Sequence, residues 1–327
     1  MVKKQVLLLN DNDVQKCINE AQSVKLVEES IKALGEGKAV ESKFYLPVEE
    51  HEGFIKSMGC YYELGNLHMT KVFALFPKNP QKHKLPTVNS TLIMTNPQNG
   101  LLMAVMDGDY ITGLKTAGAT AVSAKYLAKK KSHVATIVGA GVQGRSHALA
   151  LNEIFELDEL RIADISPEAR ERYSKDMSKI MGIEVKNCKT VGEAVSGTDI
   201  VALVTTGNEP ILKAKMVEDG IFIAKVGSFQ EMEPQVLTTV NKVVVDKWEY
   251  ISTRTKEMSE LVKSGKFNRE KVYAELPDVV AGKRPGRQED KDSITYISLG
   301  FGVDNAALTR FVYDQALAKG LGQKVQL

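Results

Sequence analysis

Short apolar runs and longer stretches of helical spacing follow one another along the chain, and the prevailing texture changes twice. Residues 6–9 read as a strand, and Asn10 to Asp13 supply N-cap chemistry for a helix. Val14, Ile18, Val24, Val27, Ile31 and Leu34 then recur at three-to-four spacing, which predicts one helix stopped by Gly35 and Gly37. Between residues 43 and 105 the pieces KFYLPV, GFIKSMG, HMTKVFALFP, TVNSTLIMT and GLLMAVMD read as strands of a mostly antiparallel sheet. NPQNG between the last two is a hairpin connection. After Asp107 the segment ITGLKTAGATAVSAKYLAKKK is an Ala-rich helix with basic residues in its last turn. Then HVATIVGAGVQGRSHALALNEIF, LRIADISPEARERYSKDMSKIMG, GTDIVALVTTG, IFIAKVGSF and KVVVDK alternate β-branched runs with helical stretches. That alternation predicts an α/β fold, a parallel sheet with crossover helices. DSITYISLGFGVDNAALTRFVYDQALAKG closes the chain with an amphipathic helix.

Composition narrows the classes. The chain has 327 residues, 43% of them hydrophobic, enough for two domains with buried cores. Lys and Arg number 43 against 41 Asp and Glu, and this balance argues against a nucleic-acid binder. No apolar run approaches the ~20 residues of a membrane span, and the first apolar run is too short for a secretory leader. Cys17, Cys60 and Cys188 are odd in number and scattered, neither a disulfide framework nor a zinc site. A protein of the reducing cytoplasm is expected. His51, His68, His83, His133 and His147 lack metal-ligand spacing, so no metal is expected and these residues are placed at the surface or in loops. There is no GxSxG motif.

VATIV runs directly into Gly139-Ala140-Gly141-Val142-Gln143-Gly144, and helix-compatible residues come next. Gly139 permits the tight turn, Gly141 lets backbone approach a pyrophosphate, and Gly144 allows close packing of helix on strand. The helix start offers unpaired N–H groups to phosphates. Asp164, twenty positions after Gly144, is placed to accept hydrogen bonds from ribose hydroxyls, and no arginine sits beside it in sequence. NAD is therefore favoured over NADP. Thr205-Thr206 and Gly227-Ser228 come after further apolar strands, where ligands of doubly wound sheets lie, although each loop alone reads equally as an ordinary turn. Val142, Gln143, Ile165, Val226, Thr116 and Gly300 complete the expected cofactor contacts.

Four lysines occupy unusual places. Lys71 stands before Val72, Phe73, Ala74 and Leu75 without polar alternation, Lys56 interrupts GFIKSMG, Lys43 opens KFYLPV, and Lys115 sits one turn into the Ala-rich helix. Lys43 and Lys56 read equally as solvent-facing partners in an alternating strand. A desolvated lysine has a lowered pKa and becomes useful for acid-base work, and several cations together suit a substrate carboxylate.

Nearly the whole chain, from LLLNDNDV to the last helix, resembles the ornithine cyclodeaminase/mu-crystallin family. The markers are TKVFALFPKN, LPTVNSTLIMTNPQNGLLMAVMDGDYITGLKTAGATAVSAKYLA, TIVGAGVQGRSHALAL and ITYISLGFGVDNAAL. The resemblance implies a homodimer in which a Rossmann domain (114–304) is inserted between the two parts of a smaller α+β domain (1–113 and 305–327) for substrate binding and subunit contact. It implies NAD(P)-dependent chemistry at an amino or imino carbon beside a carboxylate. Lys71 then matches the family's catalytic lysine. Lys115 stands where an arginine normally clamps the carboxylate, Lys43 matches a basic residue of alanine dehydrogenases, and Lys56 replaces their arginine. Phe229 stands where cyclodeaminases, and some alanine dehydrogenases, carry an aspartate, and Asp304 resembles a family aspartate while reading equally as a helix N-cap. Tyr45, Met58 and Phe229 are candidates to line the substrate pocket. The pattern is similar to the alanine dehydrogenase and imine reductase branch: an NAD(H)-dependent oxidoreductase for a small carboxylate-bearing substrate. Two alternatives stay open, a cyclodeaminase with recycled NAD and a silent ligand-binding protein.

Overall fold

The computed structural model describes residues 5–327; residues 1–4, the start of the segment read against a leader peptide, lie outside the described residues. Strands β1 (Gln5–Leu9), β2 (Ala39–Val48), β3 (Gly53–Tyr62), β4 (Leu67–Leu75), β5 (Val88–Thr95) and β6 (Leu102–Asp107) come first. Eight more succeed them: β7 (Val134–Val138), β8 (Glu159–Ala163), β9 (Glu184–Cys188), β10 (Ile200–Leu203), β11 (Phe222–Val226), β12 (Lys242–Val245), β13 (Ala274–Glu275) and β14 (Ile294–Ser298). The last strand is β15 (Gln323–Gln326). Two compact units result. One holds the chain up to Lys115 together with Phe301–Leu327, the other Thr116–Gly300. Sequence put the change-over at 113/114 and 304/305. Lys115 belongs with the first unit because it faces that unit's other lysines, and the helix start at Gly302 is held there by Glu41.

The first unit is a seven-stranded sheet in the order β15-β1-β6-β5-β4-β3-β2. The single helix expected after β1 is two, Asp11–Gln15 and Glu20–Gly35. Asn10 Oδ1 accepts from Asp13 N and Asn19 Oδ1 accepts from Gln22 N, each at 3.0 Å, with the reciprocal bond made in both cases. The second capping box restarts the helix, a local signal that outweighs the continuous apolar spacing. β15 was not anticipated, since its polar, largely exposed residues carry no alternation, yet it pairs antiparallel with β1. The closing helix, Gly302–Lys319, is not amphipathic in its first turns: residues 302–309 are all buried. It packs on β2, β3 and β4 and also on helix Glu20–Gly35, so two faces are covered.

Antiparallel register sets the chemistry of this sheet. Directly paired residues share a face, and the pairs Lys43↔Met58, Met58↔Lys71 and Lys71↔Leu92 make one row. Tyr45↔Lys56 and Lys56↔Phe73 make the next row on that face. Lys43 and Lys56, which alternation alone could send to solvent, therefore lie on the side of Lys71.

The second unit is an eight-stranded sheet in the order β13-β12-β14-β11-β10-β7-β8-β9, parallel at every pairing. The order reverses between β7 and β10, the arrangement of a doubly wound Rossmann sheet, whose ligands bind beyond the carboxyl ends of the strands. His147, expected at the surface or in a loop, is buried in helix Val142–Asn152, with ring Nδ1 2.7 Å from the Gln143 carbonyl oxygen. A Cβ on Gly144 would lie 2.0 Å from the Gly139 carbonyl oxygen, whereas one on Gly141 meets nothing within 4 Å. Gly144→Ala is expected to cost about 1–3 kcal/mol of unfolding free energy through overpacking, and Gly141→Ala to leave it nearly unchanged. Urea denaturation of the two variants side by side checks this, and equal midpoints would show that Gly144 is not a packing requirement.

Candidate active site

Lys71 lies in mid-strand on β4 and is 1% exposed. Its Nζ donates to Thr112 Oγ1 at 2.5 Å and to Asn305 Oδ1 at 3.1 Å, both neutral oxygens. Nζ of Lys56 and of Lys71 stand 5.0 and 5.4 Å from the centroid of the Phe73 ring. Burial holds the Lys71 ammonium well below its usual pKa; the charges of Lys115 and Lys56 act the same way, and Asp109 opposes them. Lys115 is itself buried, and Lys56 is half-buried. Met58 fills the row between Lys43 and Lys71, and Tyr45 stacks on Phe54 with ring centroids 4.4 Å apart.

Lys43 Nζ stands 3.7 Å from Glu41 Oε1, with both side chains buried. Glu41 Oε2 accepts from the backbone N–H of Gly302 at 2.5 Å and of Val303 at 3.1 Å, so a strand carboxylate satisfies the start of the closing helix. This corrects the alternative reading of Asp304 as a cap: Phe301 holds the N-cap position. Asp304 is wholly buried, and its Oδ1 accepts from Ser30 Oγ at 3.0 Å. Burial pushes its carboxyl up to about 8, with Lys115 the main opposing influence. Thr112, Asn305 and Glu41 were not singled out from sequence, although each had a signal. Glu41 is two residues from Lys43 on one strand, Thr112 is three from Lys115 on one helix, and Asn305 is a polar residue in an apolar helix.

A second lysine in an apolar run provides a contrast. Lys225 interrupts β11 as Lys71 interrupts β4, and it is wholly buried. Its Nζ donates to the Gly227 carbonyl oxygen at 2.6 Å and lies 3.4 Å from Glu257 Oε2. Glu257 Oε1 accepts from Glu231 N, and Glu231 Oε1 accepts from both N and Oγ1 of Thr205, at 2.6 and 2.8 Å. Burial pushes the Glu231 carboxyl up to about 7. Lys225 thus has carboxylates for company and braces the loops after β10 and β11.

The expected cofactor residues other than Thr116 lie at or after the carboxyl ends of strands of the second sheet. Gly139 has φ +118, and its missing Cβ leaves room for Val204 O, which would otherwise lie at 2.9 Å. Gly141 occupies the N-cap of helix Val142–Asn152 without a side-chain cap. Val142 is 77% and Ile165 99% exposed, unusual for apolar side chains. Asp164 Oδ2 accepts from Ala140 N at 2.7 Å and Oδ1 from Ser166 N at 2.9 Å, tying the carboxylate to the glycine turn and leaving lone pairs for further donors. Sequence showed no arginine beside Asp164. The fold brings one: buried Arg170 donates to the Asp164 carbonyl oxygen at 2.6 Å and to Asn187 Oδ1 at 2.9 Å, and so is taken up by backbone and a neighbouring side chain. Gln143 lies in the first turn of the same helix; Val226, Gly227, Ser228 and Phe229 end or succeed β11, Thr206 is exposed after β10, and Gly300 (φ +80) comes after β14. Thr116 lies in helix Asp109–Leu127.

Residues 3–320 match the family model of the ornithine cyclodeaminase/mu-crystallin family. The chain belongs to that family. It is 30% identical to alanine dehydrogenase of Archaeoglobus fulgidus over 98% of both chains. Δ1-pyrroline-2-carboxylate reductase of Thermococcus litoralis, solved with NADH and L-proline, superposes with TM-score 0.94 at 32% identity over 98% of this chain and 100% of that one. An archaeal alanine dehydrogenase dimer with bound NAD gives TM-score 0.91 at 30% identity over 98% and 99%. This family member carries in its first unit a buried acid whose sign of pH dependence is specific. Folded Asp304 keeps its proton up to about pH 8, while the unfolded residue loses it near the ordinary value of 3.8, so its contribution to stability falls as pH rises between those values. Asp304→Asn is expected to gain stability relative to the wild type steadily from pH 5 to about pH 8. Urea midpoints across that range check it, and a constant difference would show that Asp304 ionises normally.

Proposed function

We propose that the chain is an NAD(H)-dependent oxidoreductase acting on the C–N bond of a small amino or imino acid, as an amino-acid dehydrogenase or imine reductase. The observation that carries this reading is the buried Lys71 amine, held by neutral oxygens and crowded by other cations, an arrangement that favours an anionic ligand and a readily lost proton. The second unit supports the cofactor: the space over Gly141 and the uncapped helix start beside it suit a pyrophosphate. Asp164, with Arg170 turned to backbone, suits a free ribose hydroxyl. When bound, reduced nicotinamide supplies a hydride. Lys56 and Lys115 hold the substrate carboxylate, and Phe73 and Met58 line the pocket beside them. Lys71 gives its proton to the substrate nitrogen in the reductive direction and accepts one in the oxidative direction. The relative solved with NADH and L-proline makes a cyclic imino acid the leading substrate class. A cyclodeaminase reading is disfavoured because apolar Phe229 leaves no carboxylate at that position.

We assign the working form as a homodimer. Val40, Phe44 and Leu46 of β2 and Tyr61 of β3 are 68, 61, 50 and 42% exposed on the sheet face away from the lysines, an apolar surface suited to a second copy. One related alanine dehydrogenase is a dimer. Three free, buried cysteines suit the cytoplasm.

A dehydrogenase or reductase consumes one NADH per product, whereas a cyclodeaminase shows no net change. NADH absorbance is to be monitored with cyclic 2-imino acids, pyruvate plus ammonia, and ornithine. Lys71→Met is expected to lower kcat by about 10²–10⁴-fold with NADH affinity retained, and full turnover in that variant would remove Lys71 from the chemistry. Phe44→Asp is expected to shift the dimer to monomer in sedimentation, and an unchanged mass would move the interface elsewhere.

A further inference from the structure

A buried amine that loses a proton in each turnover needs a route by which to regain it, and Lys71 is too enclosed to take one from bulk water. Its shorter hydrogen bond leads to Thr112 Oγ1. Thr112 Oγ1 lies 3.0 Å from Ser90 Oγ, with either hydroxyl able to donate, and Ser90 Oγ donates to Asp109 Oδ1 at 2.9 Å. Asp109 is half-buried and ends the path toward the surface. Backbone geometry makes the path possible. Asp109 and Thr112 are three residues apart on one helix, and Ser90 stands opposite Phe73 across β5 and β4. A Cβ on Gly108 would lie 2.8 Å from Ser90 Oγ, so glycine there admits the middle hydroxyl.

We propose that Thr112, Ser90 and Asp109 form a proton relay that reloads the Lys71 amine during turnover, an assignment that rests on the reading of Lys71 as the acid. The neutral amine takes the Thr112 hydroxyl proton, Thr112 Oγ1 takes that of Ser90, and Ser90 Oγ takes that of the Asp109 carboxyl. One proton moves from Asp109 to Lys71, both hydroxyls end as they began, and water reprotonates Asp109. The Thr112 hydroxyl, which donates to the Gly108 carbonyl oxygen at 2.6 Å while Lys71 is protonated, turns to the neutral Lys71 amine for the transfer, and the Ser90 hydroxyl turns from Asp109 to Thr112. The charged groups bearing on Lys71 are Lys115, Lys56 and Asp109, and those bearing on Asp109 are Asp107 and Lys71. Burial lowers the proton affinity of the amine and raises that of the carboxyl, which brings the two ends of the relay together.

The test compares Ser90→Ala, Ser90→Thr and Asp109→Asn with the wild type in full-length protein. With a cyclic 2-imino acid and NADH, Ser90→Ala and Asp109→Asn are expected to lower kcat about tenfold or more while both KM values stay within about twofold. Ser90→Ala should straighten a curved dependence of kcat on deuterium fraction, and Ser90→Thr, which keeps a hydroxyl, should restore rate and curvature. Wild-type kcat and solvent isotope effect in Ser90→Ala would overturn the relay, as would a loss that Ser90→Thr fails to restore. If the wild type itself reduces none of the imines, the functional reading fails separately. Nitrogen-15 NMR of the lysine amines, without substrate, then decides the relay: Ser90→Ala should slow proton exchange at Lys71 about tenfold, and an unchanged exchange rate overturns it.

Discussion

A buried lysine whose hydrogen-bond partners are neutral is the constraint on which the first unit is organised. Removing an ammonium group from water costs several kcal/mol unless charge or hydrogen bonds offset it. For Lys225 the offset is a carboxylate network, and the result is a brace behind two loops. For Lys71 the offset is incomplete: Thr112 and Asn305 accept two of the ammonium hydrogens, while Lys115 and Lys56 add to the cost of the charge. The same residue type in the same kind of apolar strand is thus held by carboxylates in one unit and by neutral oxygens among other cations in the other, and the sign of its neighbours makes the difference.

That environment depends on elements distant in sequence. β2, β3 and β4 present Lys43, Lys56 and Lys71 on one face through their register, and Asn305 and Asp304 come from the closing helix packed on that face. Glu41 joins the two, pairing with Lys43 and holding the first N–H groups of the helix. A shift of one residue in the pairing of β2 or β3 would send its lysine to the opposite face. Position in the sheet, more than the number of lysines, creates the cationic cluster.

The second unit was far more legible. A glycine turn between a strand and a helix is a local requirement: Gly139 must take a positive φ, Gly144 must lack a side chain, and Gly141 sits over open space, all within six residues. Apolar runs alternating with helices led in the same local way to a parallel, doubly wound sheet. Long-range pairing was hidden. β15 carries no apolar alternation, the break between Gln15 and Glu20 depends on a cap that mimics an ordinary polar pair, and Arg170 reaches Asp164 by the turn of a helix.

Sequence by itself determined the family, the Rossmann sheet, its glycine turn and the oddity of Lys71, because each is written in neighbouring residues whose types backbone geometry or burial restricts. Tertiary structure alone decided which lysines share a face, that Glu41 and not Asp304 holds the helix start, and that Thr112, Ser90 and Asp109 stand in line behind the amine. Those relations depend on strand register and helix packing, which bring together residues as distant as Glu41 and Val303, 262 positions apart, and no local pattern records them.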